Sequence, residues 1–332
     1  MDPMIFYSWN NYSTEEPMNA VGYAILFPGL IIALSILGIL TSMFIMSVNF
    51  QSWIKGQNLN PTDLLNVALA FCNMVFSVSN YAFITCIFFI TCWVFEYQVY
   101  VENYCFAYSL FCNSWLSSCL CFFYFVKVNN FKPGYLAWLK LRINTLVPRL
   151  ILGTQVFSVL NSLLYLLGFS DENVENSAVP LVTNQTAIIT DYRTCIYFYI
   201  FLLFINCCIP FLIILVTTSL NISSLYNHIC RMQKNLGEFG GPSMKIHQRT
   251  VLTMTLLLIF YMLFYAVVLG YSFFLNTELF IWVYYTALSF FPPLQSIILI
   301  MGNSRLKQTC VNILNSCRKM FSERENAPTI CT

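Results

Sequence analysis

The sequence predicts an all-α membrane protein, a seven-transmembrane helix bundle with its N-terminus outside the cell and its C-terminus in the cytoplasm. Hydrophobic residues make up 58% of the 332 residues and charged residues only 9%, against about 25% charged in a typical soluble domain. Seven stretches also contain no Asp, Glu, Lys or Arg, and each reaches the roughly 20 residues that a spanning helix needs. These stretches are 17–54, 64–95, 103–126, 150–170, 194–230, 250–277 and 279–304.

The orientation follows from the basic residues. All but one of the 16 Lys and Arg residues fall in the connections on one side of the seven stretches or in the C-terminal tail, and the exception is Arg193. Most acidic residues fall on the other side. Because basic loops stay in the cytoplasm, we expect the N-terminus to be extracellular and the tail to be cytoplasmic.

The predicted domains follow from these segments. Residues 1–20 form an extracellular N-terminus, 21–302 the transmembrane domain, and 303–332 a cytoplasmic tail with a membrane-surface helix. The seven spans are predicted near 21–48, 62–90, 103–126, 146–169, 194–220, 250–273 and 279–301.

Span two has a clear start and a polar face. Asn60-Pro61-Thr62-Asp63 offers an N-cap residue, a proline for the first turn and a carboxylate that complements the helix dipole. Asn66, Asn73 and Asn80 recur every seven positions and therefore share one face. We expect this face to look into the bundle and to join helices by hydrogen bonds; a bound ion or water is the less favoured reading.

Prolines and the tail give further local predictions. Pro210 predicts a kink in span five, and Pro292-Pro293 predicts a bend in span seven. In the tail, apolar residues at helical spacing predict a helix lying on the membrane. Cys310 and Cys317 on this stripe are either palmitoylation sites or plain packing residues.

Two covalent modifications are suggested on the outer side. Asn11 and Asn184 each begin an Asn-x-Ser/Thr acceptor for glycosylation, and Asn184 lies in the middle of the longest outer loop. Cys92, Cys105 and Cys195 lie near the outer ends of spans. They allow three disulfide pairings, and the sequence does not choose among them.

Several kinds of chemistry are absent from the sequence. There is no metal-spaced His/Cys cluster, phosphate loop or nucleophile elbow, so we predict no enzyme, metal or cofactor, and nothing indicates a nucleic-acid partner. No ionisable residue is predicted at mid-membrane depth, which argues against pumps and ion-coupled carriers. An aromatic interior with scattered asparagines fits the reception of a small, uncharged or weakly polar molecule.

The end of span three carries a family resemblance. It reads Tyr124-Phe125-Val126-Lys127, not Asp/Glu-Arg-Tyr, and span seven lacks Asn-Pro-x-x-Tyr. The junction Phe123–Ile143 instead resembles the bitter taste receptor (type 2 taste receptor) family of G-protein-coupled receptors. The matching residues are Phe123, Tyr124, Phe125, Lys127, Asn130, Phe131, Leu139, Lys140, Arg142 and Ile143. Pro210-Phe211, His228, His247, Gly302-Asn303 and Asn184 are also similar to the family pattern.

Three positions depart from the family pattern. Asn73 stands where the family has Arg in span two, Ser42 where it has Asn in span one, and Gln295 where it has His in span seven. The resemblance implies that the Arg and Asn would join spans one and two, so we expect that contact to be altered here. Leu110 stands where the family has a ligand-contacting Asn.

The resemblance implies a chemosensory receptor in the plasma membrane. Its expected ligands are small, mostly apolar bitter compounds, and its expected partner is a heterotrimeric, gustducin-like G protein of the inhibitory class. The expected ligand contacts are Phe106, Leu110, Tyr261, Tyr265 and Tyr285. The expected G-protein coupling residues are Tyr124, Lys127 and His228.

Two alternatives remain open. A vomeronasal-type receptor has the same topology and differs in ligand class and tissue. A channel or carrier for neutral solutes would show solute flux without a G protein. The odd number of spans, the lack of inverted halves and the one-sided basic loops argue against the channel or carrier.

Overall fold

A computed structural model of the chain describes residues 17–57, 59–89, 92–129, 134–177, 201–202, 204–236, 242–271 and 278–325. These residues form helices and short turns, and no β-strand occurs among them, which agrees with the predicted all-α class. The helices are α1 (Pro17–Ile54), α2 (Pro61–Phe89), α3 (Cys92–Val128), α4 (Tyr135–Ser177), α5 (Ile209–Leu236), α6 (Pro242–Tyr271), α7 (Glu278–Ser289), α8 (Phe291–Gly302) and α9 (Ser304–Glu325).

Six helical segments are long and apolar enough to cross a membrane, so the chain is a multi-pass membrane protein. They are Ile25–Ile54, Pro61–Thr85, Tyr100–Val128, Ala137–Leu167, Phe204–Ser224 and Trp282–Gly302. The sixth predicted span corresponds to α6, whose apolar part, Leu252–Val268, is shorter than the other six. α4 also extends beyond the predicted 146–169 at both ends, because a helix can continue past the apolar part that lipid selects.

α3 occupies the centre of the bundle. It packs against α2, α4 and α5, and it is the most deeply buried of the membrane-length segments. α1 packs against α2, α7 and α8, while α6 packs against α5, α7 and α8. Many large apolar side chains still point outward, for example Ile25, Leu40 and Leu152. Such an exposed apolar surface suits lipid rather than water.

The connection between α1 and α2 is a Schellman turn. Gly56 adopts a left-handed φ of 71°, a conformation that glycine takes without a Cβ penalty. The Gly56 N–H donates to the Trp53 carbonyl at 3.0 Å, and the Gln57 N–H donates to the Ser52 carbonyl at 3.1 Å. The two bonds satisfy carbonyls at the end of α1 and turn the chain toward α2.

The predicted polar face of α2 is confirmed. Asn66 and Asn73 are buried. Asn73 Nδ2 donates to Ser296 Oγ at 3.3 Å, and Asn80 Nδ2 donates to Ser289 Oγ at 3.5 Å. The asparagines therefore join α2 to α7 and α8, since an amide in the apolar interior needs a polar partner.

Both predicted proline irregularities are present. A π-helical segment, Phe204–Cys208, lies directly before Pro210, because proline has no N–H for the regular helical ladder. The seventh hydrophobic segment is interrupted at Phe290, between α7 and α8, and Pro292-Pro293 form the first turn of α8.

Candidate ligand-binding core and coupling surface

A cluster of three hydrogen-bonded side chains joins α3, α6 and α8. The Tyr261 ring is fully buried, with 0% exposure. Gln295 Nε2 donates to the Tyr261 hydroxyl at 2.7 Å and to Ser117 Oγ at 3.2 Å. The Tyr261 and Ser117 hydroxyls also bond each other. We call Ser117, Tyr261 and Gln295 the central cluster; its members are uncharged, so a change in its hydrogen bonds moves no buried charge.

Tyr265 lies one turn after Tyr261 on the same face of α6. The two rings are 6.1 Å apart. Its hydroxyl donates to Ser114 Oγ of α3 at 3.0 Å, and its ring lies 5.1 Å from that of Phe211 in α5. Tyr265 therefore links α3, α5 and α6 next to the central cluster.

Phe291 connects α6 and α8 through their aromatic side chains. Its ring lies 4.2 Å from Phe264, 4.9 Å from Phe260 and 6.0 Å from Tyr261. Phe291 was not predicted as a central residue. Its place directly before Pro292-Pro293, where the helix is interrupted, was the available signal.

The predicted ligand contacts on α3 lie beside this aromatic group. Leu110 is buried with 4% exposure, and Phe106 is half-buried. The Phe106 ring lies 5.5 Å from Phe76, which lies 6.3 Å from Phe291. Phe106 is therefore connected to Tyr261 through two intervening rings.

Tyr285 occupies a different part of the bundle. It is half-buried on α7, with ring distances of 5.8 Å to Phe83 of α2 and 5.5 Å to Tyr284. The structure thus brings Tyr261 and Tyr265 together and connects Phe106 to them, while Tyr285 lies with the aromatic residues of α2 and α7.

Asn206 joins three helices at the π-helical segment. It is fully buried, and its Oδ1 accepts from Trp115 Nε1 of α3 at 3.3 Å. Its Nδ2 donates to Asn161 Oδ1 of α4 at 3.1 Å and to the Leu202 carbonyl at 2.9 Å. The widened helical turn places this amide between α3 and α4, so it anchors the start of α5.

The three departures from the family pattern lie at contacts of α8. The Ser42 and Ser296 hydroxyls are 3.4 Å apart, and Asn73 donates to the same Ser296. Ser42 of α1 and Asn73 of α2 thus both bond Ser296 of α8. Gln295 directly precedes Ser296 in α8, and it donates to Ser117 and Tyr261 in the central cluster.

Two of the predicted coupling residues lie at the end of α3. Tyr124 is half-buried and packs edge-on against Phe123 at 5.9 Å. Lys127 is exposed, with its Nζ 5.3 Å from the centre of the Phe123 ring. His228 belongs to α5, and its side chain lies outside the described residues.

Polar contacts tie α3, α5 and α6 near these residues. Asn129 Nδ2 donates to Asn221 Oδ1 at 2.8 Å, and Asn221 Nδ2 lies 3.4 Å from Met254 Sδ. Lys140 Nζ donates to the Asn129 carbonyl at 2.8 Å, which connects the start of α4 to the end of α3. This end of the bundle is therefore held by neutral amides together with the charged Lys140.

Some predictions fall outside what the structure describes. The glycosylation acceptors Asn11 and Asn184 lie there, as does Cys195. Cys105 carries a free thiol, so the two predicted pairings that include it are not formed in this structure. The Cys92 side chain also lies outside the described part, and the pairing of Cys92 with Cys195 stays a prediction. Across the described ranges, no group of His, Cys, Asp and Glu side chains could hold a metal ion.

A comparison with protein families gives the identity. The family model described as taste receptor protein (TAS2R) matches residues 18–318. The match covers every helix described above except the first residue of α1 and the end of α9. The chain belongs to the taste receptor family.

Individual taste receptors are similar to this chain along almost their whole length. Taste receptor type 2 member 7 of Rattus norvegicus is 27% identical over 312 residues, covering 88% of this chain and 95% of the relative. Taste receptor type 2 member 8 of Homo sapiens is 27% identical over 298 residues, covering 86% and 93%. Taste receptor type 2 member 40 of Gallus gallus is 29% identical over 297 residues, covering 85% and 93%.

Family membership confirms the resemblance read from the third-span junction. As a type 2 taste receptor, the chain is a G-protein-coupled receptor for bitter taste and not an enzyme. It acts through small-molecule ligands and G proteins. Its central cluster and aromatic core are the parts of this receptor that lie where α3, α6 and α8 meet.

Proposed function

We propose that this taste receptor detects a small, mostly apolar bitter compound from outside the plasma membrane and activates a gustducin-like G protein of the inhibitory class. The observation that carries the proposal is the central cluster, which joins α3, α6 and α8 through neutral hydrogen bonds beside aromatic side chains. A ligand bound next to it changes the packing of three helices at once.

The composition of the core supports an apolar ligand. Phe106, Leu110, Tyr265 and Tyr285 offer rings, one aliphatic side chain and a few hydroxyl groups. In the described residues the buried acidic side chains are Asp63, near the start of α2, and Glu102, one turn before Phe106 on α3. The aromatic group itself offers only neutral side chains, which favours an apolar ligand.

Tyr261 responds to the ligand indirectly, unlike the other four proposed ligand residues. Its ring has no exposed surface and its hydroxyl already bonds Ser117 and Gln295. A ligand therefore acts on Tyr261 by displacing its neighbours Tyr265 and Phe291. Ligand binding shifts the central cluster only if the ligand has a higher affinity for the receptor state in which the cluster is shifted.

The basic end of the bundle is the proposed docking face for the G protein. With the N-terminus outside, Tyr124 and Lys127 at the end of α3 and His228 on α5 face the cytoplasm. Neutral amide contacts between Asn129 and Asn221 lie beside them. Such contacts cost little to rearrange compared with charged ones, so the ends of α3, α5 and α6 can separate.

Glycosylation at Asn184, and at Asn11, belongs to the same proposed topology. Both acceptors lie in segments that the orientation places outside the cell. We expect glycosidase treatment of the expressed receptor to increase its electrophoretic mobility, and Asn184→Gln to remove most of that shift. An unchanged mobility would contradict the outer position of the Asn184 loop.

A ligand screen tests the proposed function. The receptor is expressed in cells that carry a chimeric G protein, its surface level is confirmed, and the cells are exposed to a broad panel of bitter compounds. We expect at least one small apolar compound to give a dose-dependent response. Silence to the whole panel at a confirmed surface level would contradict the proposed ligand class.

The same cells distinguish the G-protein class and the alternatives. With native inhibitory-class G protein in place of the chimera, we expect pertussis toxin to abolish the response. A response that survives the toxin would contradict the proposed class. Solute flux in cells without a functional G protein would favour the channel or carrier alternative.

A further inference from the structure

A buried carboxylate at the start of α2 has two long-range partners. The Asp63 side chain is only 6% exposed. Its Oδ2 lies 3.3 Å from Arg305 Nη2, and its Oδ1 accepts from Asn303 Nδ2 at 2.7 Å. Asn303 and Arg305 lie at the junction of α8 and α9. Both carboxylate oxygens of Asp63 in α2 therefore contact residues more than 200 positions later in the chain.

Asn303 has two functions at this junction. Its Oδ1 accepts from the backbone N–H of Arg305 at 3.0 Å and of Leu306 at 3.4 Å, which caps the start of α9. Its Nδ2 donates to Asp63. The same side chain thus begins α9 and fixes that beginning to α2.

Arg305 adds a third helix. Its guanidinium donates to Asn49 Oδ1 of α1. Asn49 is buried, and its Nδ2 donates to the Ile45 carbonyl at 2.8 Å. The orientation of the Asn49 amide is therefore set by its own helix, and it presents an oxygen to Arg305. Next to these groups, Leu306 is fully buried.

The charges at this junction are poorly explained by helix stability. A cation in the first turn of α9 opposes the helix dipole, and Arg305 is such a cation. The pair is only partly buried, since the Arg305 side chain is 32% exposed and the Asp63 side chain 6%. Ion pairs removed from water contribute little net stability compared with apolar side chains of similar size, although removing one partner is costly. A pair with these properties is better suited to fixing the relative position of two elements.

We propose that Asn49, Asp63, Asn303 and Arg305 form a clamp that positions α9 against the ends of α1 and α2, and thereby shapes the face on which the G protein docks. The second half of this statement rests on the proposed function. Asp63 lies in the first turn of α2, which packs against α3, the helix that carries the proposed coupling residues Tyr124 and Lys127.

The position of α9 can be measured without a ligand or a G protein. Cys310 is half-buried and Cys317 is exposed, and both lie on α9. In detergent-solubilised receptor, treated first with hydroxylamine to free any acylated thiol, maleimide labelling followed by peptide mass spectrometry gives the rate at each cysteine. Cys317 serves as the internal reference.

The test variant removes both charges together. Asp63→Asn/Arg305→Met leaves no unpaired buried charge, so it avoids the folding defect expected of either single change. We expect the Cys310 labelling rate to rise several-fold, toward that of Cys317, while the Cys317 rate stays the same. Arg305→Lys keeps the charge, and we expect it to stay close to the parent receptor. Arg318→Met removes an exposed charge from the same helix and is the matched control.

An unchanged Cys310 rate in the double variant, or an equal rise in Arg318→Met, would overturn the clamp. The proposed effect of the clamp on the G-protein docking face is measured as G-protein activation per receptor at the cell surface. We expect the double variant to lose most of this response and Arg305→Lys to keep it. A full response in the double variant would overturn the statement that the clamp shapes the G-protein docking face. If the parent receptor activates no G protein, the proposed function fails, and the labelling rates still decide whether the clamp positions α9.

Discussion

Tyr261 shows how much of the receptor's organisation depends on one hydroxyl group. The hydroxyl bonds Ser117 of α3 and accepts from Gln295 of α8, while the ring itself belongs to α6. Because the ring is fully buried, no water is available at its surface to replace a lost partner. One atom therefore contributes to the contact of three helices, and its removal should affect stability and signalling together.

We predict that Tyr261→Phe lowers the free energy of unfolding by about 1–3 kcal/mol, the usual cost of leaving a buried donor without its partner. Gln295 Nε2 would retain only Ser117 as acceptor. The measurement is the thermal unfolding midpoint of the solubilised receptor. Tyr226→Phe is the control, since the Tyr226 side chain is 67% exposed on α5. Equal unfolding midpoints for the two variants would show that the hydrogen bonds of the Tyr261 hydroxyl do not stabilise the receptor.

The ligand residues give a second prediction at this scale. Tyr265→Phe removes the bond to Ser114 and keeps the ring against Phe211. If an apolar ligand packs on the ring, the agonist concentration for half-maximal response should change little with Tyr265→Phe and rise strongly with Tyr265→Ala. Surface level is the control for both. The opposite order would contradict an apolar contact at this position.

At the scale of helices, α1 approaches α2 closely at Gly38. A Cβ built on Gly38 would lie 2.3 Å from Ser77 Oγ and 3.2 Å from Pro292 Cβ. A side chain at this position would therefore force Ser77 or Pro292 to shift, and glycine avoids that cost. Gly29 of the same helix has no neighbour within 4 Å of its Cβ position, which makes it a matched comparison.

We predict that Gly38→Ala destabilises the receptor by about 1–3 kcal/mol, as expected for an overpacked contact. Gly29→Ala should cost nothing. Adding Ser77→Ala to Gly38→Ala removes the nearest atom and should restore part of the loss. The thermal unfolding midpoint and the surface level report both effects. A neutral Gly38→Ala, or no recovery in the double variant, would contradict the close packing of α1 and α2.

Sequence patterns predicted the properties of single helices better than their contacts. The spacing of Asn66, Asn73 and Asn80 identified the buried face of α2, and Pro210 and Pro292 marked the two irregular segments, because these signals act within one helix. The partners of those faces were not predictable. Periodicity shows which side of a helix is buried, but it does not show which other helix covers that side.

The central cluster and the clamp illustrate this limit. Gln295 and Ser117 are 178 residues apart, and Asn303 and Asp63 are 240 residues apart. Nothing local in the sequence pairs them. Asp63 was interpreted only as a complement to its own helix dipole, and the buried ion pair with Arg305 became visible only once the bundle was assembled. Phe291 differs, because its place directly before Pro292-Pro293 is a local signal, although its aromatic partners on α6 are not.

For the whole molecule, the distribution of charge gives the orientation on which the proposed function depends. All but one of the 16 basic residues lie at one end of the predicted spans or in the tail. The proposed coupling residues and the proposed clamp belong to that end, and the predicted glycosylation acceptors lie in segments predicted for the other end. Reversing the orientation would place the proposed G-protein face outside the cell.

Antibody staining of the two termini tests this orientation most directly. The receptor carries one epitope tag at the N-terminus and a different tag at the C-terminus, and it is stained before and after the cells are permeabilised. We predict that the N-terminal tag is stained on intact cells and the C-terminal tag only after permeabilisation. Staining of both tags on intact cells, or of the C-terminal tag alone, would contradict seven crossings with the basic ends in the cytoplasm.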